Sequence, residues 1–188
     1  MLKATKVRIY PTPEQAEFLN RQFGATRFVY NKALHIISSQ YRRHGAKLRA
    51  KKDLKPLLAV AKKSRKYHWL KNFDSIALQQ ACINLDKAFQ NFFDPKLPAR
   101  YPKFKRKHGK QSSYHCMSVS VGESWIKVPK MRPIKARIHR EITGAIKKAS
   151  PCHALSQGNT TPRCWSRTVW KPPPHCTPLM PCWASIWG

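Results

Sequence analysis

Residues 3–10 alternate along the chain. Lys3, Thr5, Val7 and Ile9 fall on one side, and Ala4, Lys6, Arg8 and Tyr10 on the other. That period of two, with the β-prone Val7, Ile9 and Tyr10, predicts a strand that Pro11 ends. Thr12-Pro13-Glu14-Gln15 then reads as a helix start, with Thr12 as N-cap, Pro13 at the first helical position and Gln15 closing a capping box. Ala16, Phe18, Leu19 and Phe23 supply its apolar stripe, and Gly24 is expected to stop it. A second helix is expected from about Thr26 to Arg43 on Phe28, Val29, Ala33, Ile36, Ile37 and Tyr41. Two helices joined at a Gly-containing turn make a helix-turn-helix-like hairpin. The basic run Arg42–Lys52 reads as a mobile loop and Asp53–Lys63 as a short helix, with Tyr67, Trp69, Leu70 and Phe73 as packing residues after it. Asp74-Ser75 caps the clearest helix, where Leu78, Cys82, Leu85, Phe89 and Phe92 share a stripe that Asp94-Pro95 ends. After Pro98 the texture turns β-like, with short strands expected in Tyr114–Val121, Trp125–Val128 and Ile134–Ile138.

Strand, helices, strands is an α+β order: a helical bundle inserted into a small β-sheet or an incomplete barrel. The expected divisions are 1–11 for the first strand, 12–95 for the helical lobe, 96–148 for the remaining strands and 149–188 for a tail of another character. In that tail Pro151, Pro162, Pro172, Pro173, Pro174, Pro178 and Pro181 interrupt both periods, and no acid occurs beyond Glu141. Proline fixes φ and removes a backbone donor, so an irregular, disordered tail is expected. Translation in a wrong reading frame after about Lys148 is the simplest cause of the change.

Charge narrows the function. Lys and Arg total 37 against 8 Asp and Glu, a formal net charge of +29. Self-repulsion at that charge opposes a compact state unless a polyanion neutralises it, and nucleic acid is the usual polyanion. The cations are spread along the chain and not gathered beside an apolar anchor, which argues against a membrane partner. No apolar run reaches the length of a membrane span, and the first residues lack a signal-peptide core, so a cytoplasmic location is expected. The 6 cysteines contain no C-x-x-C pair, so neither a disulfide framework nor a zinc site is expected, and no cofactor is.

Chemistry is sparse. Glu14 and Glu17 fit a helix first turn, Asp53 and Asp74 fit caps, and Asp86 is expected on an exposed side. No spaced carboxylates suggest a metal-dependent nuclease site, no His has a nucleophile and acid beside it, and no phosphate-binding Gly loop occurs. Binding features are stronger. Arg100-Tyr101-Pro102-Lys103-Phe104-Lys105-Arg106 interleaves cations for phosphates with rings that either stack on bases or pack in a core. Lys6 and Arg8 on the first strand join the candidate set. Arg27, Asn31 and Lys32 lie on the polar side of the second helix, facing either a groove of nucleic acid or solvent.

Several of these stretches occur in one order. They are Lys6–Gln15 (KVRIYPTPEQ), Phe23–Leu34 (FGATRFVYNKAL), Ser75–Ala81 (SIALQQA), Leu85–Phe93 (LDKAFQNFF) and Tyr101–Lys105 (YPKFK), closed by Ile138–Ile142 and Gly144–Lys147. In this the chain resembles the N-terminal part of the OrfB/TnpB family of insertion-sequence proteins, transposases understood as RNA-guided DNA endonucleases and relatives of type V CRISPR effectors. The resemblance implies a wedge-like β-barrel, a helical recognition lobe, and guide RNA and DNA as partners, held by shape and backbone. It also implies that nuclease carboxylates and a zinc module belong to a later region, so the family's catalytic residues match no position here. The expectation is a truncated transposase fragment that binds RNA or DNA and is not itself an enzyme. The other reading is a stand-alone, non-catalytic nucleic-acid-binding or regulatory protein.

Overall fold

The computed structural model describes residues 3–107, 111–138, 145–154 and 163–171, with 3–6, 111–112 and the last two stretches in backbone only. Strand β1 is Lys3–Tyr10 and helix α1 is Pro13–His44. A π-helical turn at Ala50–Leu54 leads into α2, Lys55–Ala61, then a 3-10 turn, Arg65–Asn72, and α3, Ser75–Phe93. Six further strands follow: β2 Gln111–Ser113, β3 Ser120–Val121, β4 Trp125–Lys127, β5 Ile134–Arg137, β6 Ala145–Ala154 and β7 Arg163–Lys171. The fold is α+β.

The start of α1 follows its sequence. Thr12 Oγ1 accepts from the Gln15 N–H at 3.4 Å, and Gln15 Oε1 accepts from the Thr12 N–H at 3.0 Å, a reciprocal capping box. The expected stop at Gly24 is not there. One helix of 32 residues, about 48 Å long, runs through it to an αL cap at Gly45 (φ 65°). A glycine inside a helix costs only about 1 kcal/mol relative to Ala, and the flanking burial of Phe23, Ala25 and Thr26 outweighs that. The Thr26 hydroxyl is satisfied by donating back to the Gln22 or Phe23 carbonyl, at 3.2 and 3.0 Å.

Two apolar clusters hold the chain together. One joins the second half of α1 to the π turn, α2 and α3, through residues such as Leu34, Leu54, Leu70, Leu78 and Leu85. The basic run is therefore not loop throughout: Arg42–His44 end α1 and Ala50 is a core residue. Asp86 also departs from expectation. It is buried, and its carboxylate accepts from the Lys51 N–H at 3.3 Å and from Gln90 Nε2 at 3.1 Å, fastening the π turn to α3. The second cluster packs Val7, Ile9, Ile126, Ile134 and Ala136 of the sheet against Leu19 and Phe23 of α1 and Ala77 of α3.

The sheet order is β2-β6-β7-β1-β5-β4-β3, with every pairing antiparallel. The side chains that form the sheet's core lie on the four strands β1-β5-β4-β3 and at Tyr114 and Cys116. Of the small β-sheet or incomplete barrel that was expected, the described strands form an open sheet, with β2 and β3 as its two ends. Beyond Lys148, where no strand was anticipated, β6 and β7 pair with one another, and β7 pairs with β1 over Lys3–Ile9. The long free edge of β1 supplies pairing that local period could not reveal. Pro151 occurs within β6 opposite Ser166, where its missing N–H removes one ladder donor.

Candidate nucleic-acid interface

The Arg100–Lys107 segment follows Pro98, where the texture was expected to turn β-like, but it makes no sheet pairing. It crosses α1 as a strap, and specific contacts fix it there. The Asn31 side chain brackets Lys105: Oδ1 accepts from the Lys105 N–H at 2.8 Å, and Nδ2 donates to the Lys105 carbonyl at 2.9 Å. This pairing also fixes the amide's orientation, because a flip would face donor to donor and acceptor to acceptor. The Lys105 ammonium lies 4.4 Å from the centre of the Tyr30 ring. Its pKa is lowered by burial; the residue as a whole remains exposed, so that desolvation acts at the ammonium end. The Tyr101 hydroxyl is 2.9 Å from Ser38 Oγ, and its ring meets Phe89 and Phe92 edge-on at 5.6 and 5.5 Å.

Between the strap and α1 lies a groove of about 800 Å³. The helix contributes His35, Ser38, Ser39, Arg42 and Arg43, and the strap contributes Lys103, Phe104 and Arg106 beside Tyr101 and Pro102. No carboxylate lines it. Phe104 is 57% exposed, so it is not a core residue. The groove therefore joins four cationic side chains to an open aromatic face, the two elements that grip a phosphodiester strand and its bases.

The structure gathers only part of the expected residue set here. Tyr101, Lys103, Phe104 and Arg106 line the groove, while Lys105 points to Tyr30 and Asn31 is engaged in holding the strap. Arg100 is exposed but outside the groove lining. Arg27 lines a neighbouring pocket of about 240 Å³ with Gln80, Asn84 and His115, to which Arg106 also contributes. Lys32 lies instead at a small apolar groove with Phe28, Ile36 and Leu57. Arg8 lies on the sheet, and the side chain of Lys6 falls outside the described residues. Sequence reasoning missed His35, Arg42 and Arg43. Their signal was present, since residues 35, 38, 39 and 42 recur at i, i+3, i+4 and i+7 on one helix face.

Among the described residues no three His, Cys, Asp or Glu side chains converge on a point. Cys82 and Cys116 are buried free thiols, pushed up to about 11 and about 12 by desolvation, which makes them poor nucleophiles. No helix among the described residues is long and apolar enough to cross a membrane.

Comparison with known proteins gives this geometry a setting. Residues 1–46 match the helix-turn-helix domain family of OrfB proteins of the IS605 type. Virulence protein VsdF of Salmonella dublin is 69% identical over 116 residues, covering 58% of this chain and 98% of VsdF. A protein of Streptomyces pristinaespiralis, provisionally named an RNA-guided DNA endonuclease, is 37% identical over 118 residues. InsQ of Escherichia coli K12, with the same provisional name, is 30% identical over 157 residues. The matches cover 62% and 79% of this chain but only 28% and 37% of those two proteins. The chain belongs to the OrfB/TnpB family of insertion-sequence transposases, whose N-terminal helix-turn-helix domain here contains one uninterrupted helix from Pro13 to His44.

Proposed function

We propose that this chain is a nucleic-acid-binding member of the transposase family, with the groove between α1 and the strap as its principal contact surface. One observation carries the reading: Arg42, Arg43, Lys103 and Arg106 come together from two distant stretches of sequence around the exposed Phe104, with no acid among them. Guide RNA, and DNA paired with it, are the polyanions that the endonuclease relatives suggest. Strand cleavage is assigned to no residue of this sequence, because among the described residues no carboxylates gather into a metal-holding set, and Asp53, Asp74 and Asp86 are used as caps or packing partners. The test is fluorescence anisotropy on labelled RNA at several salt concentrations. Replacing Lys103 and Arg106 with Ala should flatten the log–log salt slope by about 1.4 to 1.8, at roughly 0.7–0.9 per phosphate contact. An unchanged slope refutes the groove. Incubation with Mg²⁺, guide and target should leave DNA intact, and guide-dependent cutting by the pure protein refutes the non-catalytic part.

The reading-frame expectation belongs to the same proposal and has a separate check. Translating the DNA after the Lys148 codon in the other two frames should recover separated carboxylates and C-x-x-C pairs; their absence there counts against a frame change. Pairing of β6 and β7 bears on folding, not on frame. A second reading, a stand-alone regulator, draws support from VsdF, a separately named protein that this chain matches over 98% of its length. A regulator should bind the guide RNA of a full-length relative and reduce its cleavage in a mixed assay, whereas an inert fragment should leave cleavage unchanged.

A further inference from the structure

A second groove, apolar where the first is basic, lies on the other side of the helical lobe's chemistry. α1, α2 and the 3-10 turn close around a space of about 130 Å³, walled by Phe28 and Ile36 of α1, Leu57 and Leu58 of α2, and Tyr67 and Leu70 of the 3-10 turn. Aromatic contacts brace one wall: the Phe28 ring lies 5.9 Å from that of Tyr67 and meets Trp69 edge-on at 5.3 Å. The rim is apolar and open to water. Leu57 is 55% exposed and Val60 63%, one turn apart on the same face of α2, and Trp69 is 39% exposed. An exposed leucine standing alone needs no explanation, but large apolar side chains gathered beside an apolar groove mark an interaction site.

Size and charge select the occupant. An apolar cavity of about 150 Å³ holds a benzene ring, so this groove takes one Phe or Leu side chain. Cations flank it: Lys32 lines it, and the Lys66 ammonium lies 5.8 Å from the centre of the Tyr67 ring. Residues 18–73 contain one acid, Asp53, whose carboxylate accepts from the Arg49 N–H at 2.7 Å. An acidic segment therefore meets cations beside the groove with no other carboxylate of this stretch to compete. A second copy of the chain is disfavoured, since each brings a formal charge of +29. A nucleobase suits the groove poorly. Besides Lys32, the lining side chains offer only the Tyr67 hydroxyl and the Cys82 thiol to the donors and acceptors of a base edge, and burying the rest without partners is costly.

We propose that this apolar groove docks an acidic protein segment, helical and amphipathic, which inserts one Phe or Leu between α1, α2 and the 3-10 turn and sets carboxylates against Lys32 and Lys66. Further apolar side chains of the segment cover Leu57, Val60 and Trp69. The surface adds a protein partner to the chain and stands apart from the basic groove between α1 and the strap.

The test titrates the full chain into a fluorescein-labelled helical peptide, Glu-rich with Leu, Phe and Leu at i, i+3 and i+7, and follows anisotropy at low and high salt. Replacing the peptide's Phe with Ala, which leaves the protein untouched, should weaken binding roughly 10- to 150-fold. L57E and V60E, at exposed positions, should weaken it while leaving the urea midpoint of unfolding unchanged. K32Q/K66Q should weaken it by about 2- to 30-fold at low salt and by less at high salt. K103A/R106A should leave it unchanged at high salt, and L57E should leave RNA binding unchanged. The proposal is overturned if the Ala peptide binds as tightly as the Phe peptide, which is attraction between polyions alone, or if the parent shows no binding up to about 100 µM peptide. It is overturned equally if K103A/R106A weakens the peptide as much as K32Q/K66Q, if L57E loses RNA and keeps the peptide, or if L57E acts only by splitting a dimer seen in sedimentation of the parent. RNA binding by K103A/R106A bears on the basic groove alone, so the two readings fail separately.

Discussion

Replacing Asn31 with Ala separates two roles for one side chain. As a direct nucleic-acid contact, the sequence reading of this residue, it would matter only when ligand is present. The structure gives it work in the free protein, where it makes two hydrogen bonds to Lys105 across 74 residues of sequence. Each such bond contributes about 0.5–1.5 kcal/mol net, so the pair contributes about 1–3 kcal/mol. Both bonds are solvent-exposed, and water can replace the lost partner, which favours the lower end. The cost should appear as local opening of the strap and not as global unfolding, since the apolar clusters are untouched. At 1.4 kcal/mol per factor of ten, Asn31→Ala should speed native-state hydrogen exchange at the Lys105 amide by about 5- to 150-fold.

A second variant sharpens the result. Asn31→Asp keeps an acceptor for the Lys105 N–H but loses the donor to its carbonyl, so protection should fall between those of the parent and the Ala variant. RNA affinity should drop in parallel with protection, because an open strap no longer presents Lys103 and Arg106 to the groove. Protection in Asn31→Ala within twofold of the parent, together with weaker RNA binding, would refute the strap and restore the direct-contact role.

Two further outcomes follow from the cores. Leu78→Ala, at a position with 0% exposure, should cost about 2–5 kcal/mol, measured by urea unfolding, whereas Phe93→Ala, at 73% exposure, should stay within about 0.5 kcal/mol. The buried thiols impose a pH dependence: their native pKa values of about 11 and about 12 exceed the ordinary 9.0, so the stability they contribute is intact below pH 9 and is lost as pH rises above it. At pH 10 the loss should reach about 1.4 kcal/mol per thiol, read as the difference between the parent and Cys82→Ala or Cys116→Ala in the change of unfolding free energy from pH 8 to pH 10.

The sequence revealed structure wherever a signal was local. The alternation of Val7 and Ile9, the Thr12–Gln15 box and the Asp74 cap all recur in the structure, the last with Asp74 Oδ1 accepting from the Ile76 N–H at 3.0 Å. It misled where a distant partner decides. Asp86 looked like a surface acid until the π turn folded onto it, and the strap looked β-like because its aromatics are interleaved with cations. The place of β7 in the sheet is set by pairing with the edge of β1, more than 130 residues earlier in the chain. The groove was half legible for the same reason: Lys103 and Arg106 stand out as a cluster, but only the fold brings Arg42 and Arg43 to them.

Gly24 is the sharpest of these cases, because the two readings predict opposite signs. If a turn ends a helix there, the residue occupies or adjoins a left-handed conformation, and Gly24→Ala should destabilise by at least about 1 kcal/mol. In the structure the backbone at Gly24 is helical, and a methyl added there would come no closer than 4.0 Å to the Arg27 guanidinium, its nearest neighbour. Ala then gains helix propensity and restricts the unfolded chain at no steric cost. The expected result is stabilisation by about 0.4–1 kcal/mol. Gly45 is the internal control: its φ of 65° makes Gly45→Ala strained although nothing lies within 4 Å of the added carbon, so that variant should lose stability. Urea unfolding of both variants beside the parent decides the matter. Stabilisation at position 24 with destabilisation at 45 fits one long helix, which carries the groove's cations at its far end. Loss at both would mean that the domain breaks at Gly24, and that Arg42 and Arg43 are held in place by something other than a continuous α1.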